Sequence, residues 1–248
     1  MPPKLYLVRH AQGEHNATRD YTIHDPLLTA TGMSQCRQLQ SEFLHHAGID
    51  LVVSSPLRRT IQTAAYSFGP VLARSDVRFI LLPGLQEVSD LASDTGHPRQ
   101  ELEGVVADMF KSEDVEIELG KIDFGHVTEG WNDKTGYWAY TRDAISARAA
   151  DMRNWLFQRP EEQIVIVTHG AFLHFLTEDV TGVKDAMLGT AYKNCEVRTF
   201  GFTPQSTDGD AHIVEIGGQK SQVASEAESA GGGEDDLHVV EEVRGVTG

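Results

Sequence analysis

Four short, nearly unbroken aliphatic runs recur along the chain: Lys4 to Val8, Asp50 to Ser54, Val77 to Leu82 and Ile164 to Thr168. A strand with one face in water alternates apolar and polar residues, and these runs have no polar phase. Such strands are covered on both sides, as in parallel sheets flanked by helices. The segments between them supply the helices. Thr31 to Ala47 sets Cys36, Leu39, Phe43 and Ala47 at helical spacing, with Gly48 as a stop. Arg58 to Phe68 aligns Ile61, Ala64, Ala65 and Phe68, and Thr141 to Phe157 aligns Ile145, Ala149, Met152 and Leu156. The alternation predicts an α/β fold, a three-layer α/β/α sandwich with a mostly parallel central sheet. Glu196 to Phe202 and His212 to Ile216 read as late antiparallel edge strands.

From Pro83 to about Tyr140 the periodicity fades, through Pro98, the acidic run Glu113 to Glu118 and the aromatics Trp131, Tyr137 and Trp138. This predicts an insertion at about 88–140 that borders the site, within one domain spanning 1–216. The remainder, 217–248, turns to Ser, Gly, Glu and Asp, including the stretch Gly231 to Asp236, and is expected to be a disordered acidic tail. The formal net charge of -16 argues against a nucleic-acid partner, which would call for a basic face. No apolar stretch approaches the roughly 20 residues that span a bilayer, so no membrane partner is expected. The start, Met1-Pro2-Pro3-Lys4, lacks a signal-peptide pattern, and a cytoplasmic location is the expectation. Cys36 and Cys195, the only two cysteines, are expected to be free thiols.

In open α/β sheets, ligands gather beyond the carboxyl ends of the strands. Each aliphatic run leads to a reactive group there. The first delivers Arg9-His10, and the second Ser54-Ser55 and then Arg58-Arg59. The third passes through Pro83-Gly84 to Glu87, and the fourth ends in His169-Gly170. Singly, each has an ordinary explanation: a His at a strand end is most often a hydrogen-bonded structural residue, and an Arg is usually ion-paired. Jointly they suggest an anion site. Buried arginines need anions, and only Glu14 lies near Arg9 in sequence; a phosphate would satisfy both arginines bidentately. In so acidic a chain that site must be a local positive pocket. The other histidines lack ligand spacing (His169 and His174 are five apart, off a common helical face), so no metal is expected.

The segment Leu7-Val8-Arg9-His10-Ala11-Gln12-Gly13-Glu14-His15-Asn16 resembles the Arg-His-Gly signature of the histidine phosphatase (phosphoglycerate mutase-like) superfamily. Ser55-Pro56-Leu57-Arg58-Arg59-Thr60 is similar to its second motif, Leu85-Gln86-Glu87 to its acid segment and Val167-Thr168-His169-Gly170 to its last histidine motif. Asp25-Pro26-Leu27-Leu28-Thr29, followed by Gly32, resembles the segment before its first helix. The resemblance implies catalysis by His10, Glu87 and His169, with substrate binding by Arg9, Asn16 and Arg59. His10 would attack phosphorus and carry a phosphohistidine. His169 would serve as an imidazolium beside a neutral His10, the pair having pKa values pushed apart. Glu87 would act as general acid and then base, without a cofactor. The partner implied is a small phosphorylated substrate. Departures are Ala11 for the usual Gly, Gly13 where many mutases carry a hydroxyl, and Val88-Ser89-Asp90-Leu91 after the acid. A mutase needs extra basic residues over its pocket, and Glu87 to Leu119 offers only Arg99 and Lys111. Phosphomonoester hydrolysis therefore ranks above its alternatives, phosphoglycerate mutase-type transfer and non-catalytic phospho-ligand binding.

Overall fold

The computed structural model of the chain describes residues 1–111, 117–179, 192–217, 239 and 241–246. The acidic run Glu113 to Glu118 lies mostly outside these residues, and the stretch Gly231 to Asp236 entirely so. The strands β1 (Lys4–Arg9), β2 (Leu51–Ser54), β3 (Arg78–Leu81), β4 (Ile122–Asp123), β5 (Gln163–Thr168), β6 (Val197–Phe202) and β7 (Ile213–Glu215) form one sheet. Their order is β4-β3-β2-β5-β1-β6-β7. The pairings from β4 through to β1 are parallel, and β6 and β7 add on antiparallel.

Side chains along the central strands alternate between two apolar layers. Leu5, Leu7, Leu51, Val53, Ile164 and Ile166 enter one, and Tyr6, Val8, Val52, Val165 and Val167 the other. Both faces are dry, so the sequence runs show no polar phase. The helices are α1 (Glu14–Thr18), α2 (Ala30–Glu42), α3 (Arg58–Leu72), α4 (Arg99–Phe110), α5 (Arg142–Phe157) and α6 (Gly170–Leu176). Buried residues of α2, α3 and α4 cover the layer holding Tyr6, and those of α5 and α6 the layer holding Leu5. The three-layer α/β/α arrangement is the one expected. Among the described residues no helix is long and apolar enough to cross a membrane.

Four local expectations need correction. The second helix ends before Phe43 instead of continuing to Ala47. Phe43 turns to extended backbone (φ -72, ψ 109) and packs edge-on against Tyr6 and Phe68, at ring-centroid distances of 5.1 and 5.3 Å. Tertiary packing there outweighs the helical spacing, and Gly48 closes a separate 3-10 turn. The third helix runs past Phe68 to Leu72 because Phe68 relaxes (φ -121, ψ 22) and admits Pro70 as a kink. Pro70 has no N–H for the Tyr66 carbonyl, and Gln40 Nε2 donates to it instead at 2.9 Å. The insertion is not aperiodic: α4 buries Leu102, Val106, Met109 and Phe110, an amphipathic stripe hidden between Pro98 and the acidic run. Finally, residues 239 and 241–246, inside the stretch expected to be disordered, are helical with Val239 and Val243 buried. The polar average of the tail concealed a valine stripe at helical spacing.

Gly32 fixes how α2 meets the loop after β1. A Cβ there would lie 2.2 Å from the Gln12 carbonyl oxygen and 3.2 Å from the Gln12 nitrogen, both main-chain atoms. Gly32→Ala is therefore expected to destabilise the fold by about 1–3 kcal/mol, the usual cost of forcing a methyl group into packed structure. A lower denaturant midpoint with an unchanged slope would register it.

Candidate active site

Strand register assembles the site. In the β1–β5 pair Arg9 lies opposite Thr168, so the next residues, His10 and His169, emerge together. Their ring centroids are 5.2 Å apart, and the His10 N–H donates to the Thr168 carbonyl at 2.9 Å. On the far side of β5, β2 ends at Ser54, and the Ser55 hydroxyl lies 2.9 Å from His169 Nε2. A small cavity at this edge is lined by Arg9, His10, His15, Asn16, Arg59, Glu87, Asp94, Val239 and Glu242. His169 is fully buried directly behind His10.

The tautomer of His10 follows from its contacts. Nδ1 lies 2.7 Å from the Ala11 carbonyl, which can only accept, so Nδ1 carries the proton. Nε2 then holds a lone pair, and Arg59 Nε–H donates to it at 3.3 Å. Burial holds the His10 pKa well below the usual imidazole range, helped by the Arg59 and Arg9 charges. His10 is thus a neutral imidazole with its unprotonated nitrogen on the cavity. Burial, Arg59 and His10 lower His169 in the same way. The two pKa values are therefore not pushed apart as expected, because both rings are buried beside the Arg59 charge. His169 Nδ1 has no hydrogen-bond partner among the described residues.

Arg59, not Arg58, serves the cavity. Arg58 turns away to Asp25, donating from Nε to its carbonyl at 2.6 Å. Arg59 Nη2 donates 2.8 Å to Asp94 Oδ1, and Nη1 to the Ser93 carbonyl. The anion that a buried arginine requires is therefore already present in the protein, as Asp94, and the pocket is not purely positive. Arg9 Nη1 donates to the Tyr192 carbonyl. Asn16 uses Oδ1 to accept from the Gly13 N–H at 3.0 Å, leaving its amide NH₂ as donor.

Glu87 sits at the start of α6. Its Oε1 accepts from the N–H of Val88 (3.0 Å) and Phe172 (2.9 Å), and Oε2 from that of Ala171 (3.2 Å). Those bonds and Arg59 favour the carboxylate, yet burial and Asp94 prevail and raise its pKa. The turn carrying Glu87 is clamped from α5 by Arg148, whose Nη1 donates to the Gly84 carbonyl at 3.3 Å and whose Nη2 donates to that of Glu87 at 3.5 Å. Lys134 Nζ donates to the Glu87 carbonyl at 3.2 Å, and burial lowers its pKa to about 8. Among the described residues no group of three or more His, Cys, Asp or Glu is disposed to hold a metal ion.

Residues 5–212 match the family model of the histidine phosphatase superfamily (branch 1). The chain belongs to that superfamily. Phosphoglycerate mutase-like protein 1 of Arabidopsis thaliana is 33% identical to this branch 1 protein over 87% of the chain and 86% of the relative. The adenosylcobalamin/alpha-ribazole phosphatase of Salmonella typhimurium is 38% identical over 34% of the chain and 40% of the relative. Among solved structures, the ecdysone phosphate phosphatase of Bombix mori has a TM-score of 0.56 at 15% identity, covering 88% of this chain and 97% of that one. At that identity it speaks for the fold.

Several site residues of this histidine phosphatase superfamily protein escaped the sequence. His15, grouped with histidines of no evident role, brings its ring to 5.8 Å from that of His10. Its position one helical turn inside the signature was the available hint. Asp94 is the partner of Arg59. Lys134, Arg148 and Glu242 arrive from distant segments, and nothing local in the sequence marks them. Trp131, in the insertion, is fully buried core, its Nε1 donating to the His97 carbonyl at 3.1 Å.

Proposed function

We propose that this protein is a metal-independent phosphomonoester hydrolase acting on a small phosphorylated metabolite through a phosphohistidine at His10. The state of His10 carries the reading: a buried, neutral imidazole whose Nε2 lone pair is presented beside two arginines. Nε2 attacks phosphorus in line, so that a P–N bond forms as the P–O bond to the alcohol breaks. Arg9, Arg59, Asn16 and His169 stabilise the equatorial oxygens. His169 serves this role as an imidazolium, and the phosphate dianion itself supplies the negative charge that raises its pKa. Glu87, whose pKa burial raises, donates in its acid form to the leaving oxygen. It then takes a proton from the water that attacks phosphohistidine, releasing inorganic phosphate and restoring His10. Membership of the superfamily and the phosphatase activity named in the Salmonella relative support hydrolysis. Two buried free thiols fit a reducing compartment, and we assign the protein to the cytoplasm.

The test is metal-free turnover followed by trapping. An aryl phosphate should release phosphate at an undiminished rate in the presence of a chelator. Quenching ³²P-labelled turnover in base should leave label on the protein that mild acid removes, as for a phosphoramidate, and peptide mapping should place it on His10. Label on Ser55, or turnover that stops with the chelator, would defeat the assignment.

A further inference from the structure

The C-terminal helical residues, 239 and 241–246, return to the mouth of the site. Val239 and Val243 are buried in the apolar layer that holds Leu85, Ala171 and Phe172, with Val246 packed against it. The approach is close. A Cβ on Gly170 would lie 2.8 Å from Val239 Cγ2, so the glycine after His169 also admits this segment. Tyr140 holds it from the other side, its hydroxyl donating to the Glu242 carbonyl at 2.8 Å.

Between the two valines stands Glu242, 5% exposed, forming a wall of the cavity together with Arg9, His10 and Arg59. An ionised carboxylate buried there would be costly. Glu242 avoids this cost by hydrogen bonding to Asp94, so that two carboxyls share a proton, and by a further bond with Ser89. Burial, Glu87 and Asp94 raise its pKa well above the carboxylate range, so it enters as the neutral acid. The space remaining beside it is about 10 Å³, room for roughly one water. A phosphoryl group with its oxygens does not fit there.

We propose that the C-terminal segment is an autoinhibitory plug, in which the Glu242 carboxyl occupies the place beside His10 and Arg59 that the substrate phosphoryl group must take. Segment and substrate then bind in competition. The inference rests on reading that cavity as the phosphoryl site. Competition of this kind multiplies the apparent affinity by the fraction of open protein and leaves the saturated rate alone.

Full-length Glu242→Ala and Val243→Asp variants test it, with the exposed Glu241→Ala as control. Both test variants should lower KM for an aryl phosphate by about tenfold or more at unchanged kcat, as expected if under a tenth of the protein is open. Orthovanadate binding, read by calorimetry, should tighten by the same factor, and a peptide of residues 239–248 should inhibit Val243→Asp competitively. Unchanged KM and vanadate affinity in Glu242→Ala, or a fall in kcat, would overturn the plug. Because vanadate binding needs no turnover, it decides the plug even where no ester is hydrolysed. Loss of the phosphohistidine label alone would defeat only the catalytic reading.

Discussion

His10→Ala is expected to lower kcat/KM for every phosphate ester by at least roughly four orders of magnitude, the scale on which losing a covalent nucleophile falls. Among the described residues no other side chain is placed to replace it. Ser55 is committed to His169 Nε2 at 2.9 Å, and His15 reaches the site only at a ring distance of 5.8 Å from His10. Removing the ring leaves Arg9 and Arg59 in place, so orthovanadate affinity should change far less than the rate. That divergence separates loss of a nucleophile from collapse of the pocket. Arg59 remains anchored by Asp94 and Ser93 after its contact to His10 Nε2 is lost, so the thermal midpoint should move little. Stopped-flow phenol release, vanadate calorimetry and the base-stable label together read the three quantities. Residual turnover within tenfold of the parent would remove His10 from the covalent role.

The sequence revealed the parts whose physics is local. Runs without a polar phase require strands covered on both faces, and Leu5, Tyr6, Leu7 and Val8 do alternate between two dry layers. Reactive groups beyond strand ends were legible because chain direction alone puts them on one edge. Strand order was not legible, and the site depends on it: β5 between β1 and β2 is what sets His169 between His10 and Ser55. The electrostatics also needed coordinates. An imidazolium at His169 is the natural expectation beside a phosphate, but burial and the Arg59 charge hold its pKa well below the usual imidazole range. Composition misled at the end of the chain, where three valines in an acidic, glycine-rich stretch suffice to dock a helix. Averages over about thirty residues cannot register a stripe of that size.

Glu87→Gln should separate two classes of ester. For alkyl phosphates, whose leaving oxygen needs a proton, kcat should fall by about 10²–10⁴-fold, the usual contribution of a positioned general acid. For an aryl phosphate with an acidic phenol, P–O cleavage should be nearly spared. The second half-reaction still lacks its base, so phosphohistidine accumulates and phenol appears as a burst equal to the enzyme. The pH dependence has a definite sign. Burial and Asp94 raise the Glu87 pKa, so the protonated acid persists to higher pH than for an ordinary carboxyl. Activity on alkyl esters is full below that pKa and is lost as pH rises through it; the glutamine variant loses this limb. The amide oxygen can still accept from the Val88 and Phe172 N–H groups, while the bond from Ala171 to Oε2 has no equivalent acceptor. A purely structural Glu87, needed only to hold the start of α6, would slow both ester classes alike and give no burst.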